Sequence, residues 1–269
     1  MCSTLKVSHS GYYSWLHAQP SSRQLESQRL SIKVKEIFIE NRCAYGARRI
    51  RKTMNHSGIV ISRRRVSTLM KRQDLYCKTK KKFRVTTDSR HHFAIAPNLL
   101  QRQFNVGRPN QAYVGDITYV RTQEGWLYLA VVIDLFSRKI VGWSMRDNMK
   151  VELVNDALLM ALWQRKPPKG LLWHTDRGVQ YACQQHRDVL QDHGITQSMS
   201  RKGNCWDNAV SESFFHTLKT ELIHHLNYKT REEAQQSIFE YIATYYNRKR
   251  LHSANDYLAP EVFERAREI

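Results

Sequence analysis

The sequence predicts an α/β protein, a mixed five-stranded sheet flanked by helices, preceded by an all-α region. Three observations carry that expectation. From Tyr113 onward, apolar residues fall into three consecutive strand-like runs with short connections, then into alternating helices and strands. Before that point they recur at helical spacing. Charge divides the chain in the same way: residues 1–100 hold 21 Lys and Arg against 5 Asp and Glu, whereas residues 101–269 hold 22 against 19. At 269 residues, 41% hydrophobic and 10% aromatic, the chain can build one large domain and a smaller one.

The elements follow in order. Ser8 to Leu16 reads as a helix with Tyr12, Tyr13, Trp15 and Leu16. Gln19-Pro20-Ser21-Ser22 breaks it, with Ser22 expected to cap a second helix, Gln24 to Glu40, whose Leu30, Val34, Ile37 and Phe38 share one face. Gly46 to His56 forms a third, carrying Arg48, Arg49, Arg51 and Lys52 around Ile50 and Met54. After the turn Ser57-Gly58-Ile59-Val60, Ser62 caps a fourth, Arg63 to Gln73, with Arg63, Arg64 and Arg65 in its first turn. Helix, glycine-bearing turn, helix is the helix-turn-helix pattern, in which the start of the second helix meets DNA. Arginines there oppose the helix dipole, and contact with phosphates or bases would explain them. Lys78 to Arg90, with Lys80-Lys81-Lys82, reads as a basic linker.

Strands are expected at 113–120, 126–134 and 138–146, then a helix from Lys150 to Trp163 and a strand at 171–175. A helix from Gln184 to His193, a strand from Ile195 to Met199, and helices at 207–225 and 231–248 complete the order. A three-strand meander followed by alternating helices and strands is the order of an RNase H-like domain.

The formal charge of +19 and the excess in the first 100 residues favour a polyanion as partner. Cys2, Cys43, Cys77, Cys183 and Cys205 are scattered with no paired spacing, which argues against a disulfide framework or a zinc ribbon and fits a reducing compartment. His91-His92 and His224-His225 lack cysteines at finger spacing and read as basic surface. The longest apolar stretch, Trp126 to Phe136, contains Asp134 and is too short to span a bilayer, and the N-terminus carries no secretory pattern. A soluble, intracellular protein is expected, with no membrane partner.

Three acids stand where decoration makes little sense. Asp116 interrupts the apolar run Ala112 to Val120. Asp176 ends Leu171-Leu172-Trp173-His174-Thr175, with 59 residues between the two acids. Glu212 lies in a helical stretch after another 35. Each has a structural alternative: Asp116 bonded to Thr118, Asp176 opening the Arg177-Gly178 turn, Glu212 facing solvent. Together they point to a hard divalent cation, because clustered carboxylates repel one another without one and magnesium prefers oxygen ligands. Two such ions can serve both oxygens of an in-line phosphoryl transfer. Asn208 and Lys219 share a helix face with Glu212, where Lys219 could meet a DNA phosphate. His174 and Asp134 remain further candidates.

Long ordered motifs add a resemblance. Ser8-His9-Ser10-Gly11-Tyr12-Tyr13-Ser14-Trp15, Tyr45-Gly46-Ala47-Arg48-Arg49-Ile50, Gly115-Asp116-Ile117-Thr118-Tyr119 and His174-Thr175-Asp176-Arg177-Gly178 carry its first part. Ser200-Arg201-Lys202-Gly203-Asn204-Cys205-Trp206-Asp207-Asn208-Ala209, Glu212-Ser213-Phe214-Phe215, Lys219-Thr220-Glu221 and Tyr246-Asn247-Arg248 carry the rest. Over nearly its whole length the chain resembles the downstream-frame products of insertion-sequence-3 transposases, relatives of retroviral integrases.

The resemblance implies that Asp116, Asp176 and Glu212 are a DDE triad holding magnesium or manganese, two ions in all. It implies nicking at the inverted repeats of an element's DNA and strand transfer to target DNA by 3′-hydroxyl attack. Arg48, Arg49, Arg63, Arg64, Arg65, Lys202, Asn208 and Lys219 are the expected DNA-binding residues. The upstream-frame product is expected as fusion or partner, the chain as a homo-oligomer on DNA, and the bacterial cytoplasm, at the nucleoid, as its place. The expected divisions are an N-terminal helical segment at 1–40, a basic helix-turn-helix-like region with linker at 41–90, and an RNase H-like integrase core with C-terminal helices at 108–269. Two alternatives share these features: a DNA-binding regulator without catalysis, and a metal-dependent nuclease that does not join strands.

Overall fold

The computed structural model describes residues 2–78, 93–202 and 204–267. It divides into two compact units, Met1–Lys78 and Thr79–Ile269.

The first unit is all helical. Helix α1, His9–Leu16, starts at Ser8, whose hydroxyl accepts from the Gly11 N–H, and buries none of its residues. Helix α2 spans Ser22–Glu40. Its cap is Ser21, one residue before the expected Ser22. The Ser21 hydroxyl accepts from the Gln24 N–H at 3.3 Å while the Gln24 side chain accepts from the Ser21 N–H at 2.7 Å. Ser22 could not form this reciprocal box, because apolar Leu25 would occupy the answering position. Helices α3, Ala47–His56, and α4, Arg63–Arg72, lie as expected, and the Ser62 hydroxyl caps α4 through the Arg65 N–H. Leu30, Val34, Ile37 and Phe38 of α2 are buried, as are Ile50, Met54, Val66, Leu69 and Met70 of the α3–α4 pair against which α2 packs. Each fully buried side chain of this kind contributes about 1.5–3 kcal/mol. Most of the expected basic linker, Lys80-Lys81-Lys82 included, and His91-His92 lie outside the described residues.

The second unit is a five-stranded sheet between helical layers. Strands β1 (Ala112–Thr122), β2 (Gly125–Asp134) and β3 (Ile140–Arg146) form the meander. Then come α5 (Val151–Arg165), β4 (Leu172–Thr175), α6 (Val179–Ala182), α7 (Gln184–Asp192) and β5 (Thr196–Met199). Helices α8 (Ala209–Glu221), α9 (Arg231–Glu240) and α10 (Pro260–Arg265) finish it. The strand order is β3-β2-β1-β4-β5, antiparallel among the first three and parallel from β1 through β4 to β5.

Several boundaries differ from expectation. The helix expected at 207–225 is α8 between two 3-10 turns, Cys205–Asn208 and Ile223–His225. The helix expected at 231–248 is α9 followed by a π-type turn, Tyr241–Tyr246, which turns Tyr241, Ile242, Tyr245 and Tyr246 into the core. Helices α6 and α10, of 4 and 6 residues, are too short to show a helical period.

Alternation along β1 separates two cores. Val114 and Val120, with Leu129 and Val131 of β2, pack toward Phe214, Leu218, Ile238 and Tyr241. Tyr113, with Ala130 and Val132 of β2, packs toward Leu153, Ala157, Leu158, Trp173 and Tyr181. At Gly142 a Cβ would come within 2.2 Å of the Ala157 carbonyl oxygen, so glycine lets the backbone of α5 rest on β3. Among the described residues no helix is long and apolar enough to cross a membrane.

Candidate active site

Strand register brings the first two acids together. Val114 of β1 is the partner of His174 in parallel β4. Asp116, midway along β1, and Asp176, just past the end of β4, each stand two residues beyond that pair and so side by side where β4 ends. Open α/β sheets place ligands at such strand ends. One Asp116 oxygen accepts from the Ile117 N–H at 2.8 Å, and one Asp176 oxygen from the Gly178 N–H at 2.9 Å. Both acids line one cavity of about 520 Å³, together with Ile117, Tyr119, Trp126 and Tyr181.

Glu212 comes from the first turn of α8, which packs on β1. The three acids feel one another. Burial raises the Asp116 carboxyl well above its ordinary range; Asp176 and Glu212 push it further, while the Ile117 N–H and Lys219 oppose the shift. Glu212 is raised by burial and then by Asp176. Burial lowers the Lys219 ammonium, and the field of Asp116 partly restores it. Tyr181, against the same carboxylates, is held as the neutral phenol by its burial and by both aspartates.

Among the described residues no three His, Cys, Asp or Glu side chains already stand close enough to hold one ion. The donor set nevertheless suits a hard divalent cation. All three acids supply oxygen, and their mutual repulsion is what a cation relieves. The buried Asn208 Oδ1 and Ser211 Oγ, just before Glu212 in sequence, have no hydrogen-bond partner among the described residues.

The remaining sequence candidates separate. Lys219 places its ammonium 5.0 Å from the Tyr119 ring centre, within the field of Asp116. Lys202 is exposed in the loop between β5 and α8. In the helical unit Arg48, Arg63 and Arg64 are exposed. Arg49 lies over the Tyr45 ring, and Arg65 pairs with Glu26 at 2.9 Å.

His174 and Asp134 are structural. His174 is fully buried, bonded through Nδ1 to the Ser198 hydroxyl at 2.8 Å and through Nε2 to the Asp207 carbonyl at 3.1 Å, and burial lowers it to about 4. Asp134 sits opposite Tyr113, whereas Asp116 sits opposite Val131. The two acids are therefore three register positions apart, about 10 Å along the hairpin. Asp134 instead accepts from the Asn110 and Phe136 N–H groups and faces Arg165. Nor is His225 a metal ligand: its Nε2 meets the Thr220 carbonyl at 2.8 Å.

Asp207 carries a role that its sequence context does not reveal. Its fully buried carboxylate accepts from Arg201 at 2.8 Å, Arg102 at 2.9 Å, the Asn98 amide and the Arg201 N–H. Those donors, led by Arg201, hold it well below the usual carboxylate range. The network ties down the loop that delivers α8, and with it Glu212.

Comparison with known proteins agrees with this architecture. Residues 107–205 and 212–267 each match a family described as an integrase core domain, and residues 26–83 match an HTH-like domain. The chain is 46% identical over 93% of its length to the transposase for insertion sequence element IS904 of Lactococcus lactis, covering 99% of that protein. It is 43% identical over 98% of its length to transposase InsF for insertion sequence IS3 of Escherichia coli, covering 92% of it. A 31 kDa protein of insertion element IS600 from Shigella sonnei is 45% identical, with 98% and 97% covered. Among solved structures, a chain of a simian T-cell lymphotropic virus intasome superposes with a TM-score of 0.51 at 14% identity, over 86% of this chain and 74% of that one. That likeness concerns the fold.

Proposed function

The chain belongs to the insertion-sequence-3 family of transposases, with an integrase catalytic core, and from that premise we propose that Asp116, Asp176 and Glu212 are its catalytic acids. They would hold divalent magnesium or manganese, two ions, for chemistry on a phosphodiester of DNA. The register of β1 against β4 supports this assignment, because it sets Asp116 beside Asp176 while α8 presents Glu212 to the same strand. Burial first, and then repulsion from Asp176, raises the proton affinity of Asp116 and Glu212, and a bound cation would relieve that repulsion.

Bound there, the metal would lower the proton affinity of the attacking oxygen and offset charge on the leaving one. The protein's own part is positional. Asp116 and Asp176 are set by strand backbone, and Glu212 by a helix whose approach the Asp207 network anchors. Lys219 supplies a cation for a DNA phosphate beside them. Water attacks at the element end, and the freed 3′-hydroxyl then attacks target DNA.

In the helical unit Arg48, Arg49, Arg63, Arg64 and Arg65 serve DNA binding, with Lys202 and Asn208 serving it in the core. The terminal inverted repeats are the DNA bound, the upstream-frame product is the fusion or partner, and a homo-oligomer assembles on DNA at the bacterial nucleoid. Incubation with oligonucleotides bearing the element's ends should give magnesium-dependent nicking and joining, both abolished in Asp176→Asn with DNA binding retained. Binding without nicking, even when the chain is fused to its upstream partner, would identify a regulator instead. Nicking without joining would identify a nuclease.

A further inference from the structure

Beyond its last pairing with β4, strand β1 pairs with β2 alone, and past Tyr128 strand β2 loses β3 as well, so the hairpin ends as a two-stranded arm that carries aromatic side chains on one face. Tyr119 lies opposite Tyr128, and Trp126 opposite Arg121, so all four residues share the face that also bears Ile117. The other face of the arm is buried: Val120 and Leu127 are 1% and 0% exposed. Core packing therefore holds the arm without help from the outer rings. Yet Tyr119 and Trp126 remain 36% and 46% exposed, with ring centres 5.0 Å apart and planes at 82°.

The position of these two rings gives them a use. They form a wall common to two cavities. On one side is the cavity of about 520 Å³ that holds Asp116 and Asp176. On the other is a cavity of about 620 Å³ into which Arg121 and Lys219 bring positive charge. The Lys219 ammonium lies over the Tyr119 ring and so joins the cationic and aromatic parts of the surface. A duplex backbone would be served by cations alone. Apolar rings rimmed by cations, set next to acids, match a flat heterocycle attached to a phosphate.

We propose that Tyr119 and Trp126 form a stacking platform for an unpaired base of DNA, which holds a frayed strand end beside Asp116 and Asp176. The proposal rests on the assignment of those acids to DNA chemistry and adds the form of the DNA that reaches them. Stacking on an aromatic side chain contributes about 1–3 kcal/mol per base and requires the base to be out of its pair. Duplex ends that open readily would therefore be the preferred substrates, with Lys219 and Arg121 meeting the flanking phosphates.

The test compares binding of the full chain, without divalent metal, to a fluorescein-labelled blunt 20-base-pair duplex and to the same duplex with three unpaired 3′ thymidines. The wild-type chain is expected to favour the tailed duplex by about 5-fold or more, the lower end of one stacked base. Trp126→Ala and Tyr119→Ala should bring the two affinities within about 2-fold while leaving blunt-duplex binding in place, which also reports that the variants fold; Trp126→Phe should keep the preference. Equal binding of both probes by the wild-type chain would overturn the platform, as would parallel loss of both in the alanine variants. Because no metal is present, a failed assignment of the catalytic acids would appear separately, as absent magnesium-dependent nicking with the tail preference intact.

Discussion

Gly115 lies against the indole of Trp173 so closely that a Cβ at that position would sit 2.2 Å from the ring. Trp173 belongs to β4 and is fully buried, and Gly115 immediately precedes Asp116. The contact therefore sets how closely the backbone carrying Asp116 approaches the strand leading to Asp176. Gly115→Ala would force the indole or the strand to move. Overpacking of this kind costs about 1–3 kcal/mol. Urea unfolding should show that loss, and nicking should fall by more than the loss of folded protein explains, because the two acids no longer stand in register.

The repulsion among the acids has a sign that titration can read. Folding raises Asp116 above its ordinary value of 3.8, chiefly through burial and then through Asp176. The folded chain thus holds that proton more tightly than the unfolded chain. Its contribution is most favourable below the ordinary value and is lost as pH rises through the folded one. Asp116→Asn, neutral throughout, should melt above the wild-type chain at about pH 8 and match it near pH 3. Millimolar magnesium should raise the wild-type midpoint at about pH 8 and raise that of the variant much less. A variant that melts below the wild type at pH 8 would contradict the repulsion.

Arg63 and Arg64 project from the first turn of α4 into solvent, whereas Arg65 in the same turn pairs with Glu26 of α2. The three arginines should therefore differ in effect. Removing Arg63 or Arg64 should lower DNA affinity and reduce the slope of log affinity against log salt by about one each. Arg65→Ala should change the slope less and cost at most about 1 kcal/mol of stability, since its ion pair is only partly shielded. Slopes unchanged from the wild-type chain in all three variants would remove α4 from the DNA interface.

The acids were legible in the sequence because a carboxylate inside or ending an apolar run is costly to bury unless a partner or a cation meets it. The strands were legible because alternation has a period of two. Cap choice was less legible. Ser21 and Ser22 are equivalent until the answering Gln24 is counted. Contacts distant in sequence were not legible at all. Asp207 takes hydrogen bonds from Arg102 and Asn98, 105 and 109 positions away, and nothing local marks it as buried. Tyr119 and Trp126 sit in runs whose neighbours are core, so only the folded chain separates exposed rings from buried ones.

Asp207 supplies the last expectation, because it links charge to the placement of Glu212. Its donors, Arg201 first, hold its carboxyl low, so it adds stability above its ordinary value of 3.8 that is lost as pH falls through the folded value. Asp207→Asn keeps the shape but gives up the charge that gathers Arg201 and Arg102. The loop before α8 then loosens, and with it the carbonyl that His174 uses. Misplacing a catalytic group by about 1 Å can cost on the order of 100-fold in rate. Nicking by Asp207→Asn should therefore fall by roughly 10-fold to 100-fold, while affinity for a blunt duplex stays within about 2-fold of wild type, an allowance well under the tenfold worth 1.4 kcal/mol. The unfolding midpoint should also lie below that of the wild-type chain at neutral pH, with the gap closing only in strong acid. Single-turnover nicking beside duplex binding checks the first pair of expectations, and melting across pH checks the second. A variant that nicks at the wild-type rate would show that Glu212 reaches its place without this loop.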